Sequence, residues 1–407
     1  MNHDSKQTHL FGSEQRLQMT ESLELTAQSL QVHGSEHAHW AVAYSGGKDS
    51  SATLTVIFHL LDTGRIPRPQ SLTVFYADTR MELTPLAIAA QQVMAELRRR
   101  GIPVHEVCAP LDKRFLVYIL GRGVPPPNNN TMRWCTRQIK VEPMHQALLS
   151  AISGMEGSVL MITGVRQGES AIRDRRIEMS CGKDGAECGQ GWYQEVLPAS
   201  RGLRGQIATL APILHWRVCH VWDWLQFYAP TPEYGAWPTR IIADAYGGDE
   251  AQEINARTGC VGCPLAQQER ALDAIVANPQ WAYLEPLKRL KPLYRELREP
   301  GNRLRKADIE YLKDGSIGKN PQRMGPLTFE AREMALQRVL DIQAECNAVA
   351  AISGRPFVDI LNANEERRIR ELIAAGTWPQ GWDGDEPRAD TALDSIYEDG
   401  AVQPLLV

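Results

Sequence analysis

A chain of 407 residues, 43% of them hydrophobic and 23% charged, is long enough for one large domain with an accessory one, or for two. It has no run of about 18 apolar residues, which argues against a membrane span, and its formal charge of −5 argues against a uniformly basic nucleic-acid-binding surface. The polar start, MNHDSKQTHLFGSEQ, has no apolar signal core, so a cytoplasmic protein is expected, whose eight cysteines serve as thiols, metal ligands or catalysts rather than disulfides.

Residues 1–36 read as a polar lead-in with one amphipathic helix near 15–32. Strands are then predicted near 40–44, 72–76, 103–107 and 158–163, alternating with helices near 50–62, 84–100 and 140–153. Such alternation, with apolar strands unbroken by polar residues, predicts an α/β fold with a parallel twisted sheet and helices on both faces. Residues 165–205 are rich in Gly, Arg, Ser and Cys and read as a long functional loop. Residues 211–229 read as a turn into an amphipathic helix. After Pro264 the chain is predicted to be helical and charged to about 312, then turn-rich, with a long helix at 328–350 and a last one at 364–375. The boundaries expected are therefore 1–36, 37–265 and a helical C-terminal region at 266–407.

Ligands of parallel sheets sit beyond the carboxyl ends of the strands, and three polar turns fall there. The first, Ser45-Gly46-Gly47-Lys48-Asp49-Ser50-Ser51, follows an apolar strand and opens a helix. Strand, glycine turn and helix aim backbone N–H groups and a positive helix end at a phosphate, with Lys48 as a point charge and serine hydroxyls as donors. The spacing is not GxxxxGK[ST]. The second turn carries Asp78 and Thr79, with Glu82 after them; Asp78 or Thr79 can also be read as a helix N-cap. The third, Gly164-Val165-Arg166 with Glu169, Ser170 and Arg173, supplies guanidinium forks suited to phosphate or sulfate. No general base stands out.

Cys108, Cys219 and Cys346 lie in apolar contexts and read as small core residues. Cys260 and Cys263 form a CxxC turn before Pro264; Cys181 and Cys188 share a glycine-rich loop; Cys135 is flanked by Arg133 and Arg137, which should lower its thiol pKa. An iron–sulfur cluster, a structural zinc, a redox pair and unligated thiols are all open at this point.

The string SGGKDS resembles the SGGxDS signature of the ATP pyrophosphatases of the PP-loop class. The order SGGKDS, ADTxxE, RWCTRQIKVEP, TGVRxxES and CxxCP, over residues 40–265, resembles the phosphoadenosine phosphosulfate reductase family. That likeness implies an adenine nucleotide α-hydrolase-like sheet binding ATP and Mg2+. Ser45, Gly46, Gly47, Lys48, Asp49, Ser50, Ser51 and Gly164 would surround the phosphates. Asp78 and Thr79 would face the adenosine, or Asp78 would hold the metal of MgATP. Lys48, Asp49, Arg166 and Arg173 would act on the reacting phosphate.

The same likeness favours an iron–sulfur cluster, of the 4Fe-4S type, held by Cys135, Cys260, Cys263 and Cys188, with Cys181 competing for the fourth place. The spare cysteine, or Cys135, would carry persulfide or act as a nucleophile. Two features depart from the reductases: Trp134-Cys135 stands where a twin cysteine is usual, and no catalytic cysteine lies near the chain end. The segments 314–343 and 362–366 resemble instead the C-terminal part of the DNA phosphorothioation ATP pyrophosphatases of the DndC and SspD type. These would cleave ATP to AMP and pyrophosphate to activate the DNA backbone, with sulfur from a cysteine desulfurase, within a complex of partner proteins and with a homodimer as one possible assembly. The basic run Lys288, Arg289, Lys291, Arg295, Arg298, Arg303, Arg305 and Lys306, interrupted by Glu296 and Glu299, is the candidate DNA surface or else a solvated helix face. The alternatives are a phosphoadenosine phosphosulfate or adenylyl-sulfate reductase, a tRNA thiolase, and a non-catalytic nucleotide-sensing scaffold of a defence complex.

Overall fold

The computed structural model describes residues 17–128, 133–153, 156–168, 175, 191–195, 207–246, 259–311, 314–318, 320, 322–397 and 399–404. Strands β1 (His39–Tyr44), β2 (Ser71–Asp78), β3 (Val104–Cys108), β4 (Val159–Ile162), β5 (Trp192–Glu195) and β6 (Ile207–Ala211) form a six-stranded sheet in the order β3-β2-β1-β4-β6-β5. β1 runs parallel to β4, from His39 opposite Val159 to Val42 opposite Ile162; β2 is parallel to β3 and β4 to β6. Only β5, paired with β6, is antiparallel among these. In β1, Trp40, Ala41, Val42 and Tyr44 are all buried, so neither face is left to water and the sequence shows a run instead of an alternation.

The expected α/β class is therefore present, with the first four strands within a few residues of their predicted places. Two strands correct the sequence reading. Trp192–Glu195 lies inside the segment read as a loop, and Ile207–Ala211 precedes the turn read at 211. Both are four or five residues long, and their order comes from pairing with β4 and with each other. Neither length nor periodicity announces them.

The chain divides into two compact units: Met1–Tyr44, Lys48–Thr73 and Glu156–Trp237 in one, and Ser45–Gly47, Val74–Met155 and Pro238–Val407 in the other. In the first, α1 (Met19–Gly34) buries Leu23, Ala27 and Leu30, one helical stripe. Helix α2 (Lys48–Asp62) is buried along most of its length. Two large indoles close this core with satisfied donors: Trp216 Nε1 gives to Thr26 Oγ1 at 3.0 Å, and Trp224 Nε1 gives to Thr55 Oγ1 at 2.8 Å.

In the second unit, α3 (Thr84–Arg99) is followed by helices Glu142–Ile152, Arg270–Ala277, Leu290–Glu296, Phe329–Ser353 and Ala363–Ala374. The long helix starts where Thr328 Oγ1 accepts from Ala331 N at 3.2 Å and stops at Gly354, with φ +64°. The last one opens with a reciprocal cap: Glu365 N gives to Asn362 Oδ1 at 2.9 Å, and Asn362 N gives to Glu365 Oε2 at 3.1 Å. Both sit close to their predicted ranges. Arg303–Arg305 and Met324–Leu327, by contrast, pair as short antiparallel strands, the first inside a stretch read as helical. Among the described residues, no helix is long and apolar enough to cross a membrane.

Candidate functional site

The turn after β1 begins with Gly46 at φ +73°, where a Cβ would stand 2.9 Å from the Ala90 Cβ. Glycine is required there both for the backbone angle and for the space. Lys48 and Asp49 follow as the first residues of α2, and Lys48 and Ser50 are 7% and 8% exposed. Ser51 is fully buried, and its hydroxyl gives to Tyr44 Oη at 3.5 Å, in the core behind the turn.

Beyond β4, Gly164 lies against the start of α2. A Cβ on it would come within 2.8 Å of Ser50 N and 2.9 Å of the Asp49 carbonyl group. These are backbone atoms that cannot step aside, so Gly164→Ala should cost about 1–3 kcal/mol as overpacking, read from the urea midpoint. A variant as stable as the parent would show that α2 can move. The approach brings Arg166 to Asp49: Nε gives to Oδ1 at 2.5 Å, and Nη1 gives to the Trp216 carbonyl at 3.2 Å. Lys48 Nζ stands 3.2 Å from Asp49 Oδ2. Two cations thus meet one carboxylate at a helix N-terminus, an arrangement of donors suited to a polyanion. The Trp216 carbonyl, which aims Arg166, had no signal in the sequence. Arg173 lies outside the described residues.

In the β2 turn the helix N-cap, the alternative read for Asp78 or Thr79, does not form; Leu83 holds that position before α3. Asp78 Oδ1 instead accepts from Arg80 N at 2.8 Å, and Arg80 takes φ +63°. Glu82 Oε1 accepts from Thr79 N at 3.1 Å and Thr79 Oγ1 at 2.6 Å. Arg80 reaches Asp359 Oδ2 at 2.7 Å and Glu365 Oε1 at 3.5 Å, contacts from far along the chain that no local pattern signals. A cavity of about 460 Å³ opens here between Asp78, Arg80, the Gln91 and Gln92 face of α3, and Phe357 to Ile360.

Burial, with the Asp78 charge adding to it and the Thr79 bonds opposing, holds the Glu82 carboxyl above its ordinary pKa of 4.5. A raised folded pKa means that the neutral form is favoured in the fold. Its stabilisation is full below the unfolded value and is lost as pH rises through the folded one. Glu82→Gln should therefore raise the melting temperature at pH 7 to 8, with the gain vanishing below pH 4.5. A pH-independent difference would contradict this assignment.

The CxxC turn is tied to the same loop, since Val261 N gives to Met81 O at 2.7 Å. Cys263 N gives to Cys260 O at 3.2 Å, closing the turn. Burial first, then the Cys263, Glu82 and Cys135 charges, push the Cys260 thiol up to about 12, against Lys140. The Cys135 thiol is raised too, by burial and then by Cys263, with its Thr136 hydrogen bonds opposing. This corrects the expectation that flanking arginines lower it: burial is the leading cause, neither arginine is among the causes, and Arg137 Nε is turned to Glu142 Oε1 at 2.8 Å. Cys135 and Cys260 each count Cys263 among the charges that raise them, so the three thiols belong to one neighbourhood. Cys181 and Cys188 lie outside the described residues.

Among the described residues, no three His, Cys, Asp or Glu side chains converge to hold a metal ion. A zinc site would bring its thiolates within about 4 Å of one another, because Zn–S bonds of about 2.3 Å are arranged tetrahedrally. Cys135, Cys260 and Cys263 match an iron–sulfur cluster in donor type, since such clusters are held by cysteine thiolates. Of the other cysteines, Cys346 is fully buried as expected, whereas Cys108 and Cys219 are half-buried and only partly in the core. The basic run is largely engaged within the protein. Lys288 pairs with Asp273 and Glu285, Arg289 with Glu345 and Lys306 with Glu386, while Arg303 gives to the Gly325 and Met324 carbonyls.

A mostly parallel sheet with its charged turns beyond the carboxyl ends of β1, β2 and β4 defines an α/β protein of the open-sheet class. Within it, residues 39–228, just under half of the chain, match the model of the phosphoadenosine phosphosulfate reductase domain, which supports a reductase-like domain over that span. Comparison with curated proteins gives no match. Solved structures with some likeness include the Candida glabrata FMN adenylyltransferase in complex with FMN and the ATP analog AMPCPP, at 13% identity and TM-score 0.32 over 53% of this chain and 60% of that one. This chain thus spans less than two thirds of the adenylyltransferase. The phosphoadenylyl-sulfate reductase from Candida auris, in its phosphate complex, gives 11% identity and TM-score 0.32 over 54% and 90%. The U34-tRNA thiolase NcsA from Methanococcus maripaludis, with its 4Fe-4S cluster, gives 14% and 0.31 over 69% and 79%. Likenesses this low carry no weight for the chemistry, which rests on the site.

Proposed function

We propose that this chain is an ATP pyrophosphatase that releases AMP and pyrophosphate and carries an iron–sulfur cluster, and that it activates the DNA backbone for phosphorothioate modification. The observation that carries the ATP reading is the Lys48–Asp49–Arg166 triad at the start of α2, behind a glycine turn. In this reading the 45–51 turn and Lys48 hold the β- and γ-phosphates as the leaving group. Arg166 faces the charge that develops at the α-phosphate, and Asp49 positions both cations. Asp78 and the cavity beside it take the nucleoside, and Mg2+ neutralises the triphosphate.

Cys135, Cys260 and Cys263 would hold the cluster, with Cys188 or Cys181 as the fourth ligand; when bound, the group supplies a metal site for sulfur. An attacking non-bridging phosphate oxygen of DNA forms a bond to the α-phosphorus as pyrophosphate leaves. Sulfur from a cysteine desulfurase, brought to the sulfide level by two electrons from a thiol reductant, then attacks the activated DNA phosphorus, forming a P–S bond as the P–O bond breaks and AMP leaves with that oxygen. Partner proteins supply DNA affinity, because much of the 288–306 basic run is already paired. Nuclease-digested host DNA, analysed by mass spectrometry, should contain phosphorothioate dinucleotides only when the gene is present. Unchanged dinucleotides in a deletion strain would refute the DNA role.

The match to the reductase domain favours one second reading, reduction of an activated sulfate. Such an enzyme binds adenylyl sulfate and makes sulfite with thioredoxin, without releasing pyrophosphate from ATP, so product analysis separates the two.

A further inference from the structure

The CxxC turn rests on the helix Leu290–Glu296. At Gly262, with φ +64°, a Cβ would meet Leu290 Cβ at 2.7 Å and the Tyr294 ring at 3.1 Å, so the turn and helix are in direct contact. Two polar atoms on this helix are buried without a hydrogen-bond partner among the described residues: Lys291 Nζ, on a residue 6% exposed, and Tyr294 Oη, on a residue 0% exposed. They are three residues apart and so share one face. Native interiors leave few such atoms, and an unpaired ammonium or hydroxyl in a dry site is costly.

Both are close to the cysteine turn in charge as well as in space. Burial raises the Tyr294 hydroxyl pKa, and the charges of Cys260, Glu269 and Cys263 raise it further. Glu269 is itself raised by burial, feels Lys291 as its leading opposing charge, and accepts from the Gly262 backbone amide. Tyr294 thus packs its ring directly on the turn that presents Cys260 and Cys263, and Lys291 acts on Glu269, which accepts from that turn.

We infer that Tyr294, with Lys291 one turn before it, is a positioning residue for the sulfur centre, its hydroxyl held in reserve to donate to anionic sulfur when the thiols are ligated. The inference rests on the cluster reading above. As thiols, the cysteines are weak acceptors and the hydroxyl stays unpaired; as metal-bound thiolates they carry charge that a buried donor stabilises. Hydrogen bonds to cluster sulfur raise the reduction potential, so removing one lowers it.

The test uses the full chain, purified anaerobically and reconstituted with ferrous iron and sulfide, as wild type, Tyr294→Phe and Lys291→Met. Before reconstitution, Tyr294→Phe should melt at the same temperature as wild type or higher, because it removes an unpaired group. After reconstitution it should hold the same iron and sulfide per chain, show a more negative reduction potential, and lose iron to a chelator several-fold faster. Lys291→Met should shift the potential in the same direction, as an independent check. A lower melting temperature of the unreconstituted Tyr294→Phe protein would overturn the inference, since the hydroxyl would then have a partner in the fold. So would an unchanged potential and loss rate in both variants. Wild type that takes up no iron refutes the cluster reading and the inference together, whereas a loaded wild type with indistinguishable variants refutes the inference alone.

Discussion

Arg166→Lys should lower kcat/KM for ATP by about 100- to 1,000-fold, the range for removing one preorganised donor from a transition state. Arg166 is 4% exposed, and its fork is used in two directions at once, Nε toward Asp49 and Nη1 toward the Trp216 carbonyl. A lysine has one compact ammonium and cannot make both bonds from one position. Asp49 would then be left to Lys48 alone, drawing that charge away from the phosphates as well. The loss should fall mainly on kcat, because the interaction is directed at developing charge rather than at bound substrate. AMP formation is the assay and far-UV circular dichroism is the control for folding. A loss below about 5-fold, well short of that range, would remove Arg166 from the chemistry.

The second large effect is on stability. Arg332 is fully buried, 4.6 Å from the Phe329 ring centre and 4.3 Å from that of Trp378, and gives to the carbonyls of Leu327, Gly121 and Thr377. Burial alone pulls its pKa down to about 10, and no carboxylate is among its hydrogen-bond partners. Arg332→Ala leaves a large cavity and strands three acceptors, so a loss of about 3–5 kcal/mol is expected. Arg332→Met refills much of the volume and removes the cost of burying a charge, so it should lose clearly less. Urea denaturation followed by tryptophan fluorescence measures both. An alanine variant within about 1 kcal/mol of wild type would show that water or relaxation satisfies the carbonyls.

Much of this architecture was legible because strand and helix left different periods. The run Trp40 to Tyr44 and the turn 45–51 marked β1 and the start of α2, and the helices at 329–353 and 363–374 stood out by length and caps. What escaped was short or decided at a distance. Trp192–Glu195 and Ile207–Ala211 are strands only because a neighbour pairs with them. The partners of Arg80 lie some 280 residues away, at Asp359 and Glu365. At Cys135, nearness to Arg133 and Arg137 in sequence does not set the acidity; burial sets its sign. In the same way a run of cations at 288–306 gave no hint that Asp273, Glu345 and Glu386 would meet it.

The most direct test follows the labelled α-phosphate. Purified protein, reconstituted anaerobically, is incubated with Mg2+, ATP labelled at that position, DNA and the partner proteins, and the nucleotides are separated. Label in AMP, with pyrophosphate released in equal amount and both lost in Lys48→Ala, is the predicted result. Label in ADP, or ATP left intact with every component present, would contradict a turn that holds the β- and γ-phosphates as one leaving group.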